Sequence, residues 1–100
     1  MISVNVKFID GNVKSLTVSG HANYDDYGKD IVCAGVSAIA TGGVNALDKY
    51  SEFVKCDLVD GTIIIDVIKF EHDSQIILKT LLTQLETIEQ SYKKYIKIYK

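Results

Sequence analysis

The chain has 100 residues, 47% of them apolar, enough for one small domain with a modest core. Eleven basic against thirteen acidic residues leave a net charge of −2 with the signs mixed, so binding to nucleic acid through a basic field is not expected. The start Met1-Ile2-Ser3-Val4 carries no basic leader, and no run approaches about 18 apolar residues, so neither export nor a membrane span is expected.

Ile2, Val4, Val6 and Phe8 alternate with Ser3, Asn5 and Lys7, the period of a half-buried strand. Asp10-Gly11-Asn12 is a turn signal, and Val13 to Ser19 reads as the returning strand. Leu16 and Val18 keep the alternation while Val13 falls out of step, which predicts a bulge or register change near Lys14. Residues 20–29 are polar. From Asp30 to about Tyr50 small apolar residues surround the helical wheel, which predicts a buried central helix with Asp30 as its N-cap. Gly42-Gly43 within it reads as a close backbone approach or a kink.

Glu52 to Val59 is a third strand with Val54, Cys56 and Leu58 inward; Asp60-Gly61 turns it into a fourth, Thr62 to Phe70. A long helix follows from about Asp73 to Tyr99, striped by Leu78, Leu81, Leu82, Leu85, Ile88, Tyr92, Tyr95, Ile96 and Tyr99, with Lys93, Lys94, Lys97 and Lys100 on a solvated face. The expected class is α+β: ββαββα order, an antiparallel sheet of about four strands, a buried central helix and a long C-terminal helix, all in one domain over residues 1–100.

His21 and Cys33 carry the chemistry. The loop of residues 22–32 is long enough to fold the imidazole back onto the thiol, the arrangement of a nucleophile with its base. With Asp30 as N-cap, Cys33 is the third helical residue; the helix dipole and free N–H groups there favour a thiolate and would also hold an acyl oxyanion. The plainer reading makes Cys33 a small apolar residue of an apolar helix, and His21 a strand-end histidine bonded to a loop carbonyl. Asp30 is a cap or an orienter of the imidazole. Ser37, one turn past Cys33, bonds a helix carbonyl or supports the site. Within the loop, Asp25 and Asp26 are solvated or meet a basic peptide; Tyr24 and Tyr27 would anchor a lid hinged at Gly28.

Cys56 reads as an inert core thiol and His72 as part of a solvated turn. His21, Cys33, Cys56 and His72 lack the paired close spacing of a zinc site, so no metal or cofactor is expected. Cys33 and Cys56 show no Cys-x-x-Cys spacing and point to free thiols in a reducing, cytoplasmic compartment. Redox sensing through Cys33 finds no resolving cysteine nearby. A non-catalytic ribosome-assembly or peptide-binding module is the alternative to catalysis, though it gives a thiol at a helix start no task.

The run Gly20-His21-Ala22, then Tyr27-Gly28, Asp30-Ile31-Val32-Cys33-Ala34-Gly35, Ser37-Ala38 and Val44-Asn45-Ala46 resembles the ribosomal-processing cysteine protease family, Prp. The likeness extends over the whole chain in length, element order and the stretch from Leu78 to Tyr92. It implies a bacterial cytoplasmic endopeptidase that trims the short N-terminal extension of a large-subunit ribosomal protein, the twenty-seventh. Carried over by position, Cys33 would be nucleophile and His21 general base and proton donor, with Asp30 and Ser37 in support. Ala22 to Lys29, including Tyr24, Tyr27 and Gly28, would be a flexible substrate loop. The likeness also implies a homodimer. The expected peptide mode is extended binding along a sheet edge beside the helix.

Overall fold

Two Asp-Gly pairs set the frame. Asp10 and Gly11 have φ of 49° and 79°, and Asp60 and Gly61 have 49° and 76°. Two successive positive φ angles give a tight turn whose twist matches that of paired strands. So β1 (Ile2–Ile9) returns as β2 (Asn12–Ser19), and β3 (Val54–Val59) as β4 (Thr62–Val67). Helix α1 (Ile31–Leu47) and a short 3₁₀ turn (Asp48–Tyr50) link the hairpins; α2 (His72–Ser91) follows, and β5 (Ile96–Tyr99) ends the chain. The structure is a computed structural model that describes residues 1–26 and 29–100.

The strands form one sheet in the order β3-β4-β2-β1-β5, antiparallel except where β5 runs parallel to β1. The α+β class and the order of the first six elements match the expectation, but the sheet is five-stranded and mixed. The C-terminal helix stops at Ser91 instead of running to Tyr99. The chain turns at Tyr92, whose carbonyl accepts from Tyr95 and Ile96, and Ile2 N–H then donates to Tyr95 at 2.8 Å. Ile96 and Ile98 face inward while Lys97 and Tyr99 face outward, which is strand alternation. Ile96 and Tyr99 are also three apart, the spacing of a helical stripe, which is why so short a segment misleads; the structure puts Ile98, not Tyr99, inward.

The expected bulge is present: Lys7 pairs with Ser15 and Phe8 with Val13, so Lys14 has no partner on β1. The freed Val13 turns into the core, fully buried. There Gln75 of α2 bonds both its N–H and its C=O, each at 2.8 Å.

Both helices lie on one face of the sheet, over Val4, Val6, Leu16, Ile65 and Val67. They run antiparallel to each other: a Cβ on Gly35 would touch Ile88, and one on Gly43 would collide with Leu81. Gly43 is therefore the close approach, whereas Gly42 faces open space. Helix α1 is not buried all round, as its composition suggested. Val32, Val36, Ala40 and Leu47 are buried, but Ile31, Ala34, Ala38 and Ala46 are exposed. With the sheet on one side and α2 on another, a two-helix layer leaves its third side open. On the edge strand β3, Leu58 lies on the helix-facing side as expected but is exposed.

Candidate active site

The strand-end turn is built by a glycine. Gly20 closes β2 with φ of 85°, and a Cβ there would collide with the Met1 carbonyl oxygen. Only glycine fits that left-handed, crowded position, and it swings the chain off the sheet toward the start of α1. His21 follows and is exposed, then Ala22, buried at 4%. The Ala22 N–H donates to Cys33 Sγ at 3.3 Å.

Asp30 caps α1 as expected. Its Oδ1 accepts from Cys33 N–H at 2.9 Å, which makes Cys33 the third helical residue. Its Oδ2 accepts from Tyr24 N–H at 2.9 Å and from Asp25 N–H at 3.5 Å. One carboxylate thus ties the helix start to the turn after His21. Burial pushes the Asp30 carboxyl up, but the amides of Cys33, Tyr24 and Asp25, helped by the Cys33 thiol, outweigh it and hold the group below its ordinary value.

Two backbone amides at the helix start are already engaged within it. Cys33 N–H is committed to Asp30 Oδ1, and Ala34 N–H donates to the Asp30 carbonyl at 3.0 Å. The amide that meets the sulfur comes from the loop, at Ala22, and no residue-type signal could have shown it. Tyr24 packs against the far end of the chain. Its ring stands edge-on to Tyr92 at 5.6 Å and to Tyr95 at 4.9 Å between centroids. The other two loop residues singled out, Tyr27 and Gly28, lie outside the described residues.

A cleft of about 570 Å³ runs past these groups, lined among others by His21, Asp30, Cys33 and Ser37. The structure thus brings all four expected site residues to one cavity. Among the described residues, the His21 ring makes no hydrogen bond to Cys33, and the Ser37 hydroxyl bonds no helix carbonyl. The cleft continues over an apolar floor and wall, Val18 and Ile63 of the sheet and Val36 and Ala40 of α1. Its strands β2 and β4 are interior, each paired on both sides, so it is not a sheet edge as expected.

Cys56 and His72 do not join. Cys56 is half-buried on β3, where burial, then the charges of Asp57 and Asp48, push its thiol up. His72 starts α2, exposed, with Nδ1 3.0 Å from Asp73. Among the described residues no three His, Cys, Asp or Glu side chains converge as a metal site would need.

A thiol at a capped helix start, sharing a cleft with a histidine, is the equipment of a cysteine protease. The family model for cysteine protease Prp matches residues 1–97. The chain belongs to the Prp family. Prp from Staphylococcus aureus, a ribosomal processing cysteine protease, is 38% identical, over 98% of this chain and 97% of that protein. A crystal structure of the S. aureus Prp with a covalently linked product peptide superposes with a TM-score of 0.91 at 36% identity, covering 99% of this chain and 98% of that one. Its complex with a substrate peptide gives a TM-score of 0.84 at 37% identity, covering 100% of both chains. This Prp-family chain is accordingly a cysteine protease, a hydrolase of peptide bonds.

Proposed function

We propose that this chain, as one protease domain over residues 1–100, removes the short N-terminal extension of the twenty-seventh large-subunit ribosomal protein, with Cys33 as nucleophile and His21 as base. His21 takes the Sγ proton, and the sulfur attacks the scissile carbonyl carbon to give a tetrahedral oxyanion. The Ala22 N–H, which donates to Cys33 Sγ, favours the thiolate that makes the attack. The oxyanion collapses, the C–N bond breaks, and the imidazolium gives its proton to the leaving amine. Water, deprotonated by His21, then hydrolyses the thioester and returns the thiol. His21 and Cys33 line the same cleft, and such contacts tighten when substrate binds.

The observation that carries the reading is the shared cleft of His21 and Cys33, with Asp30 fixing the helix start and the loop together. The S. aureus relative supports it: that protein is a ribosomal processing protease and holds a covalently linked product peptide. The test is incubation of the intact ribosomal precursor with wild type and with Cys33→Ala, reading termini by mass spectrometry. Wild type yields the trimmed protein and Cys33→Ala leaves the precursor whole; trimming by Cys33→Ala would reject the mechanism.

The same reading makes the enzyme a cytoplasmic homodimer. Two free thiols suit a reducing compartment, and the exposed apolar side of α1 offers a face for a second copy. Sedimentation velocity across a concentration series tests the dimer.

A further inference from the structure

The cleft does not end where its enclosed part ends. Val18 on β2 pairs with Ile63 on β4, and Ile63 pairs with Leu58 on β3. Directly opposed residues point to the same side of a sheet, so these three side chains form one row on the helix-facing side. Val18 is 7% exposed, Ile63 is partly buried in the wall of the Cys33 cleft, and Leu58 is 73% exposed. The row therefore runs from the cleft that Cys33 also lines out to the edge strand, where Leu58 is open to solvent. Gly61, in the turn beside the row, also lines the cleft, and open space stands where its Cβ would be.

We infer that Leu58 and Ile63 form a distal apolar subsite for the peptide substrate, seating a large aliphatic or aromatic side chain away from the cleaved bond. This rests on the proteolytic reading above. Paired strands lie about 4.8 Å apart, so two steps from Val18 to Leu58 span roughly 10 Å, the length of about three extended residues. The residue seated on Leu58 is thus about three or more positions from the scissile bond. A peptide lying across the face of the sheet reaches this subsite; one added as a strand cannot, since β2 and β4 have no free edge. The occupant is peptide rather than a second copy because the row is continuous with the cavity that holds Cys33.

The test uses a synthetic peptide spanning the ribosomal extension, and a panel in which each apolar residue is replaced by serine in turn. Leu58→Asp alters an exposed side chain and leaves the fold intact; Ile63→Ser is the second variant. Full burial of one leucine-sized side chain corresponds to about tenfold or more in affinity. Leu58→Asp is expected to raise KM for the parent peptide about tenfold with kcat unchanged. One serine replacement, three or more positions from the cleaved bond, is expected to do the same to wild type and to add nothing in the Leu58→Asp background. Binding of the labelled peptide to Cys33→Ala, with and without Leu58→Asp, reads the subsite without any cleavage. If wild type fails to cleave but Cys33→Ala binds with the Leu58 dependence, the proteolytic reading falls and the subsite stands. Wild-type KM and affinity in Leu58→Asp overturn the subsite. So does an equal loss on every peptide of the panel, or a loss that tracks a change in sedimentation, since both assign Leu58 to self-association.

Discussion

Asp30 and Cys33 are joined by a 2.9 Å hydrogen bond from the Cys33 amide to Asp30 Oδ1, while Asp30 Oδ2 holds the Tyr24 amide at the same distance. The carboxylate thus ties the start of α1 to the loop after His21, alongside the bond from the Ala22 N–H to Cys33 Sγ.

Replacing that carboxylate separates capping from bridging. Asparagine offers one acceptor oxygen in place of two, so Asp30→Asn can keep the Cys33 cap or the Tyr24 bond but not both. Asp30→Ala loses both. Cleavage is expected to fall on the order of a hundredfold in Asp30→Ala, the cost of misplacing a reacting group by about 1 Å, and by less in Asp30→Asn. Equal kcat/KM in all three proteins would show that the bridge does not position the site.

The same carboxyl predicts a pH dependence. Its folded pKa lies below the ordinary 3.8, so around that pH the unfolded chain binds more protons than the folded one. The stability it contributes is present above 3.8 and is lost as pH falls through the folded value. Glu71, the N-cap of α2, behaves alike: Ser74 and Asp73 amides hold it below its ordinary 4.5. Thermal unfolding followed from neutral pH down to about 2.5 should therefore show a decline below pH 4.5 that is shallower in Asp30→Asn and in Glu71→Gln. A decline of unchanged slope in both variants would place acid sensitivity elsewhere.

Gly42 and Gly43 are neighbours in sequence with opposite expected responses. A methyl on Gly43 meets buried Leu81, and overpacking of that kind costs about 1–3 kcal/mol. A methyl on Gly42 meets nothing, so Gly42→Ala should stabilise the helix by about 0.5–1 kcal/mol. Urea midpoints at constant slope decide the matter; two substitutions of the same sign would contradict the antiparallel packing of α1 on α2.

How much of this was legible in the sequence depends on the range of the interaction. Asp-Gly turns, the cap at Asp30 and the misfit of Val13 are local, and each appears as expected. The bulge near Lys14 was visible because one apolar residue broke a period of two. Its partner Gln75 was not visible, because 62 residues separate it from Val13 and a glutamine in a helix announces nothing. The parallel strand at Ile96–Tyr99 is too short for its alternation to decide, and its partner β1 lies at the other end of the chain. At the site, side-chain types pointed to His21, Asp30, Cys33 and Ser37, whereas the backbone donor at Ala22 has no signature in residue type.

Gln75 offers a direct measure of that hidden partnership. Its side-chain amide completes the ladder where the bulge leaves Val13 unpaired, and the residue is 5% exposed. Gln75→Leu keeps the volume but orphans a buried N–H and a buried C=O, each costing about 1–3 kcal/mol. Gln75→Glu still accepts from the Val13 N–H, but an ionised carboxylate faces the Val13 carbonyl with no hydrogen to give. Both variants should lower the urea midpoint, and Gln75→Glu should recover part of the loss as pH falls toward its protonation. A neutral effect in Gln75→Leu would mean that water replaces the amide at the bulge.

Tyr24 links the loop to the far end of the chain. Its ring packs edge-on against Tyr92 and Tyr95, and edge-to-face pairs contribute about 0.5–1.5 kcal/mol beyond area burial. Those contacts hold the segment whose Ala22 amide reaches Cys33 Sγ. Tyr24→Phe keeps the ring and should retain near wild-type cleavage, while Tyr24→Ala frees the segment and should lower kcat/KM about tenfold, the kinetic equivalent of one such pair. The melting temperature should barely move, because Tyr24 is 39% exposed and outside the core. Alkylation by iodoacetamide gives a second reading, with Cys56 as internal reference because burial and neighbouring carboxylates suppress its thiolate. The ratio of Cys33 to Cys56 labelling should change in Tyr24→Ala and not in Tyr24→Phe. If both variants label and cleave as wild type does, the tyrosine cluster stabilises the C-terminal turn alone and leaves the site untouched.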